Sequence, residues 1–139
     1  MRLFVYGTLL DPDLCALVAG RPFAARTAVL RGWRRRRVRG RTYPVILPDA
    51  RSTVAGAVID EVDDTALARF IAYEGAGYRL CPVRPRLGNR RGEDVEALVF
   101  VPVVRPIVAG AWTESDWRRR HRRATLATLR RGTLSSAHI

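Results

Sequence analysis

The sequence predicts an α+β fold: a small mixed, largely antiparallel sheet of about six strands, curled towards a barrel and accompanied by three helices. Short β-branched and aromatic runs recur along the 139 residues and end at Gly, Pro or Asp. Only three stretches read as helices, too few for the strand-helix alternation of a doubly wound sheet. The hydrophobic share of 47% suffices for one ordinary core. One domain is therefore expected over residues 1–131, with 132–139 as a frayed tail.

Arg2 to Tyr6 reads as a strand entering a tight turn at Gly7. Asp11 then supplies a helix cap, Pro12 the first helical position and Gly20 the stop, around an apolar stripe of Leu14, Leu17 and Val18. Ala24 to Val38 is a strand with a basic extension, Arg34 to Arg37; Tyr43 to Leu47 and Thr53 to Ile59 are two more. Asp63 or Asp64 caps a second helix with Leu67, Phe70 and Ile71 inward and Gly75 as its stop, which places Glu74 in the last turn. Tyr78 to Leu87 and Val95 to Val101 read as strands joined by a hairpin turn over Gly88 to Gly92. Pro102 to Ala111 is an apolar loop, and Glu114 to Arg130 a third helix with Trp117, His121, Leu126 and Leu129 less exposed.

The net charge of +12 raises nucleic acid as a partner, through Arg34 to Arg37 and Arg118 to Arg123. All 25 basic residues are Arg, however, which with the heavy Ala, Gly and Val usage resembles a coding bias at surface positions. Lys also binds phosphate well, so selection for phosphate contacts would use both cations. A solvated basic face is the preferred reading, and a positive field equally attracts a small carboxylate. Cys15 and Cys81 stand outside any Cys-x-x-Cys or Cys/His cluster and are read as buried small hydrophobes. The apolar start breaks off at Gly7 and acidic residues follow, so neither an export signal nor a spanning helix is expected. A cytoplasmic protein, monomeric or weakly dimeric, follows as the expectation.

With His121 and His138 as its two histidines, the chain offers little for a nucleophilic triad, and it has no metal-ligand spacing or phosphate-loop pattern. No metal or cofactor is expected. What remains is a carboxylate and backbone amides. Tyr6-Gly7-Thr8-Leu9 ends a strand just before a helix, where amide N–H groups favour an anion; a plain turn explains the same residues. Tyr73-Glu74-Gly75 puts a carboxylate at a helix end among aromatic residues and glycines. A desolvated carboxyl titrates nearer neutrality, where one group both accepts and donates a proton. The alternative is an exposed acid beside the arginines of the next strand.

Taken in order, Val5-Tyr6-Gly7-Thr8-Leu9, Tyr43-Pro44, Val54-Ala55-Gly56 and Tyr73-Glu74-Gly75 followed by Tyr78 resemble the gamma-glutamylcyclotransferase-like superfamily over residues 1 to about 102. That superfamily includes gamma-glutamylamine cyclotransferases and the plant avirulence-induced proteins. The resemblance implies that the Tyr6 to Leu9 loop binds a gamma-glutamyl group and that Glu74 is the acid/base. The implied reaction is attack of the substrate's own α-amine on its γ-carbonyl, releasing 5-oxoproline and an amine. Tyr6, Tyr43 and Tyr78 become candidate substrate-binding residues, with Tyr6 and Tyr78 equally readable as core aromatics. A non-catalytic carboxylate binder on the same fold is the second reading.

Overall fold

In the computed structural model, which describes residues 1–88 and 92–132, the helix signals written into the sequence act as predicted. Asp11 caps α1 (Pro12–Ala19) by accepting from the Leu14 amide, and Gly20 closes it. Asp63 caps α2 (Asp64–Glu74) through the Ala66 amide, and Gly75 ends it. Leu14, Val18 and Phe70 are buried and Leu67 partly so, but the stripe members Leu17 and Ile71 face solvent.

The strands are β1 (Leu3–Val5), β2 (Ala25–Arg37), β3 (Pro44–Ile59), β4 (Tyr78–Val83), β5 (Arg86–Leu87) and β6 (Ala97–Pro102). They form one six-stranded sheet in the order β4-β6-β1-β3-β2-β5. β1 runs parallel to β6, and the other neighbours are antiparallel. β4 and β5 sit at opposite edges of the sheet, yet only Arg84 and Pro85 separate them in the chain. The sheet must therefore curl back on itself, which gives the predicted barrel-like shape.

That curl buries both faces of β1 and accounts for its unbroken apolar run. Leu3 and Val5 pack with the helices, against Leu14, Phe70 and Trp117, while Phe4 and Tyr6 fill the barrel interior with Leu30, Ile46, Val58 and Val99. β3 passes so close to β1 that a Cβ at Gly56 would lie 2.3 Å from the Val5 carbonyl oxygen and 2.7 Å from the Phe4 ring. Gly56→Ala should accordingly lower stability by about 1–3 kcal/mol, the usual cost of overpacking a core. Urea unfolding measures this, and an unchanged midpoint would contradict the packing.

The structure departs from the sequence reading in several places. Residues 44–47 and 53–59 belong to one long strand, with Tyr43 just before it, because Pro48 pairs with Trp33 while Thr53 pairs with Arg31, and the residues between bulge outward. Asp49 braces the bulge by accepting from the Arg51 amide and the Ser52 hydroxyl. The expected strand 78–87 divides at Arg84-Pro85 into β4 and β5. The predicted turn centres on 89–91, outside the described residues, although Arg86 and Asp94 pair across its base. The predicted tail lies outside them too, except for Gly132. Cys15 is buried, whereas Cys81, on edge strand β4, is only half-buried. Burial, aided by the Asp11 charge, pushes the Cys15 thiol up to about 11.

The third predicted helix is two, α3 (Glu114–Arg120) and α4 (Arg122–Arg130), broken at His121. With the pair α1 and α2, this makes four α-helices among the described residues where three were expected. Trp117 and Leu126 are both buried in the helix-side core. On a straight helix of 3.6 residues per turn they would point half a turn apart. The break rotates α4 so that both reach the same core.

Between β6 and α3 the apolar loop becomes a strap across the end of the β2–β3 hairpin. The Arg37 and Arg39 amides donate to the carbonyls of Gly110 and Ile107, the Ala109 amide donates to Arg37, and Val38 bridges to Val108.

Candidate active site

Glu74 is the last residue of α2 and is 7% exposed. Its position depends on Gly75, whose φ of 85° is a left-handed value that a side chain would strain. The chain turns there, and the Tyr78 amide closes the turn onto the Gly75 carbonyl. The glycine loop arrives from the other direction, at the end of β1. Thr8–Leu10 forms a single 3-10 turn in which the Leu10 and Asp11 amides donate to the carbonyls of Gly7 and Thr8.

Two cavities meet at Glu74. A niche of about 20 Å³, room for little more than one water-sized group, is lined by Tyr6, Gly7, Thr8, Leu9, Pro44 and Glu74 among others. A groove of about 310 Å³ is lined by Tyr43, Glu74, Gly75, Ala76, Tyr78 and Val104 among others. The Tyr6 to Leu9 loop, Tyr43, Glu74 and Tyr78, chosen from sequence, thus converge on one place. A larger cavity of about 1220 Å³ opens at the far end of the barrel beside Met1 and Arg2. Most of its charged groups bind one another, as in Arg2–Asp60, Arg26–Asp60 and Arg84–Glu96, and Glu74 is not among its lining residues.

All four tyrosines of the chain surround Glu74. Burial raises the phenol pKa of Tyr6, Tyr43, Tyr73 and Tyr78, and the Glu74 charge raises each further. The four hydroxyls therefore stay protonated through the neutral range. The Tyr6 hydroxyl donates to the Phe100 carbonyl at 2.8 Å, so this side chain is a barrel residue that also walls the niche. Arg35, stacked over Trp112, donates to the Tyr6 carbonyl at 2.9 Å and ties the loop to β2.

Tyr73 was not singled out from sequence as a site residue. It is fully buried, and its hydroxyl lies 2.8 Å from the Thr8 hydroxyl, joining the end of α2 to the loop. Tyr73→Phe should remove that bond and cost about 1 kcal/mol, or somewhat more because Thr8 is also buried. Chemical denaturation measures the loss, and a stability equal to wild type would show that the bridge is not needed.

Residues 3–119 match the family described as gamma-glutamyl cyclotransferase, AIG2-like. The chain belongs to this family. Protein AIG2 C of Arabidopsis thaliana is 33% identical over 131 residues, spanning 94% of this chain and 79% of the relative. A solution structure of another Arabidopsis thaliana protein superposes with a TM-score of 0.71 at 30% identity, covering 95% of this chain and 81% of that one. A solved gamma-glutamyl cyclotransferase aligns with a TM-score of 0.57 at 15% identity, over 74% of this chain and 66% of its own, a likeness of fold alone. The six-stranded sheet is therefore the fold of the AIG2-like gamma-glutamyl cyclotransferases.

Members of both basic runs are tied into this AIG2-like fold. Arg35 and Arg36 donate to the carbonyls of Tyr6, Ala55 and Gly110. Arg118 and Arg122 pair with buried Asp11, and Arg119 pairs with Asp116. No helix among the described residues is long and apolar enough to cross a membrane.

Proposed function

We propose that this protein is a cyclotransferase that cleaves a gamma-glutamyl amide through attack of the substrate's own α-amine on its γ-carbonyl. The observation that carries the proposal is the position of Glu74, which lines both the niche at the glycine loop and the groove beside it.

The substrate lies in the groove and sends one small polar group, a carboxylate oxygen or the carbonyl oxygen that becomes an oxyanion, to the niche. The amides of Gly7, Thr8 and Leu9 precede the first donor engaged in the 3-10 turn and supply hydrogen bonds there. Glu74 takes a proton from the α-ammonium, and the freed amine closes a five-membered ring on the γ-carbon. The bond from that carbon to the departing nitrogen then breaks. Across the reaction two protons leave the α-nitrogen and appear on the released ammonium, with Glu74 carrying each and ending as a carboxylate.

Because nucleophile and electrophile belong to one molecule, the main demand on the protein is orientation, worth up to about 7–11 kcal/mol in the best-aligned cases. Tyr43 and Tyr78 wall the groove with neutral phenols, and Tyr73 positions the loop through Thr8.

The test is product release. Purified protein incubated with gamma-glutamyl amines and dipeptides should form 5-oxoproline in step with free amine. A folded protein that binds such compounds and converts none of them would refute the enzymatic reading and fit a carboxylate binder.

A further inference from the structure

The arginines are conspicuous by where they are placed. The chain has 25 of them, yet among the described residues none lines the niche or the groove at Glu74. Apart from Glu74, the groove is walled by Val38, Tyr43, Val45, Tyr78, Pro102, Val104 and Pro106, with the backbone of Gly75 to Gly77. The phenols of Tyr43 and Tyr78 are neutral, as argued above, so Glu74 is the charged side chain of this space.

The strap continues the apolar surface outward. Val104 and Pro106 form the groove's outer wall, while Val103, Val104 and Ile107 are 55%, 77% and 69% exposed. The strap is held by backbone bonds: the Val103 amide donates to Gly77, next to the Glu74 turn, and the Arg39 amide donates to Ile107. Its side chains are thus presented beside the groove, and apolar side chains grouped at the rim of a groove commonly mark a binding surface.

Resting on the reading of the site as a cyclotransferase, we infer that the substituent on the substrate's amide nitrogen is uncharged and apolar while bound, its nitrogen becoming an ammonium only on release, and that the strap at Val104 selects it. A free amino acid as leaving group would bring a second carboxylate into an apolar space whose charged side chain is already negative. Like charge and lost hydration both oppose this. A leaving group with a distant ammonium would pair that cation with Glu74 and withhold the carboxylate from the α-ammonium. An amide bearing a plain alkyl or aryl substituent has neither problem and buries that hydrocarbon against Val38, Pro106 and Val104.

Three gamma-glutamyl compounds of similar size separate these cases: gamma-glutamyl-isopentylamide, gamma-glutamyl-leucine, which adds a carboxylate to the same skeleton, and the monoamide of 1,5-diaminopentane, which adds an ammonium. The kcat/KM for 5-oxoproline release should be at least about tenfold higher for the isopentylamide than for either charged compound. Val104→Arg should shift the ratio by about tenfold towards gamma-glutamyl-leucine, mainly through KM. Turnover that is equal for all three, or favours a charged one, overturns the inference and leaves the cyclotransferase intact. A Val104→Arg protein that loses the same fraction of activity on all three overturns the role of the strap. Release from none of the three by folded protein overturns both readings.

Discussion

Glu74→Gln is expected to reduce 5-oxoproline release by at least about 10²-fold, and up to about 10⁴-fold, the range that a positioned acid/base group contributes. The amide keeps the shape of the side chain but cannot take a proton from the α-ammonium or return one to the departing nitrogen. Folding should suffer far less. Glu74 stands at the C-terminal end of α2, where a negative charge is disfavoured by the helix dipole, so neutralising it leaves the melting temperature near wild type or above it. Measuring both quantities on one preparation gives the result its force. Activity kept within a few-fold of wild type would exclude Glu74 as the proton carrier. Equal collapse of activity and stability would point instead to a structural role.

The second large effect concerns stability and lies at the junction of the two chain ends. Asp11 is 1% exposed; one carboxylate oxygen caps α1 at the Leu14 amide, and the other accepts from Arg122 at 2.6 Å with Arg118 3.6 Å away. Burial alone would raise the Asp11 carboxyl, but the Arg122 hydrogen bond, the Leu14 amide and the two guanidinium charges outweigh it and hold the pKa below its ordinary value. Asp11→Ala loses the cap, worth about 1 kcal/mol, and the buried half of a charge pair. Arg122 is about a third exposed and can turn to water, so the total should be about 2–3 kcal/mol. A carboxyl lowered by folding adds stability above its unfolded pKa, about 3.9, and that contribution disappears as pH falls through the folded value. Wild type should therefore lose stability below about pH 4, and Asp11→Asn should flatten part of that loss. Asp49, Asp63 and Asp94 keep the remainder, being held low chiefly by the Arg51 amide, the Ala66 amide and Arg86. An acid limb as steep in Asp11→Asn as in wild type would contradict this account.

Features marked by local chemistry were legible in the sequence. Asp11, Pro12, Gly20, Asp63 and Gly75 set the bounds of α1 and α2, and Gly75 fixed Glu74 at a helix end. Features set by distant contacts were not. Arg84-Pro85 looks like the interior of one strand, and only closure of the sheet sends β4 and β5 to opposite edges. Tyr73 follows the apolar pattern of α2 and is indeed buried; its partner Thr8 is 65 residues away, a pairing no local spacing encodes. The break at His121 did leave a trace, since Trp117 and Leu126 are large apolar residues half a turn out of phase on a straight helix. The groove wall at Val104 lies in a segment read as an apolar loop, whose course depends on backbone bonds to Gly77 and to the β2–β3 hairpin.

The claim on which the rest depends is that the glycine loop and Glu74 form one site for a gamma-glutamyl group. A crystal structure of the protein with 5-oxoproline tests this most directly. The account predicts the ligand in the groove, with an oxygen bonded to the amides of Gly7 to Leu9 and the ring nitrogen within hydrogen-bond reach of the Glu74 carboxylate. Ligand bound instead in the cavity beside Met1 and Arg2, with the groove at Glu74 empty, would contradict it.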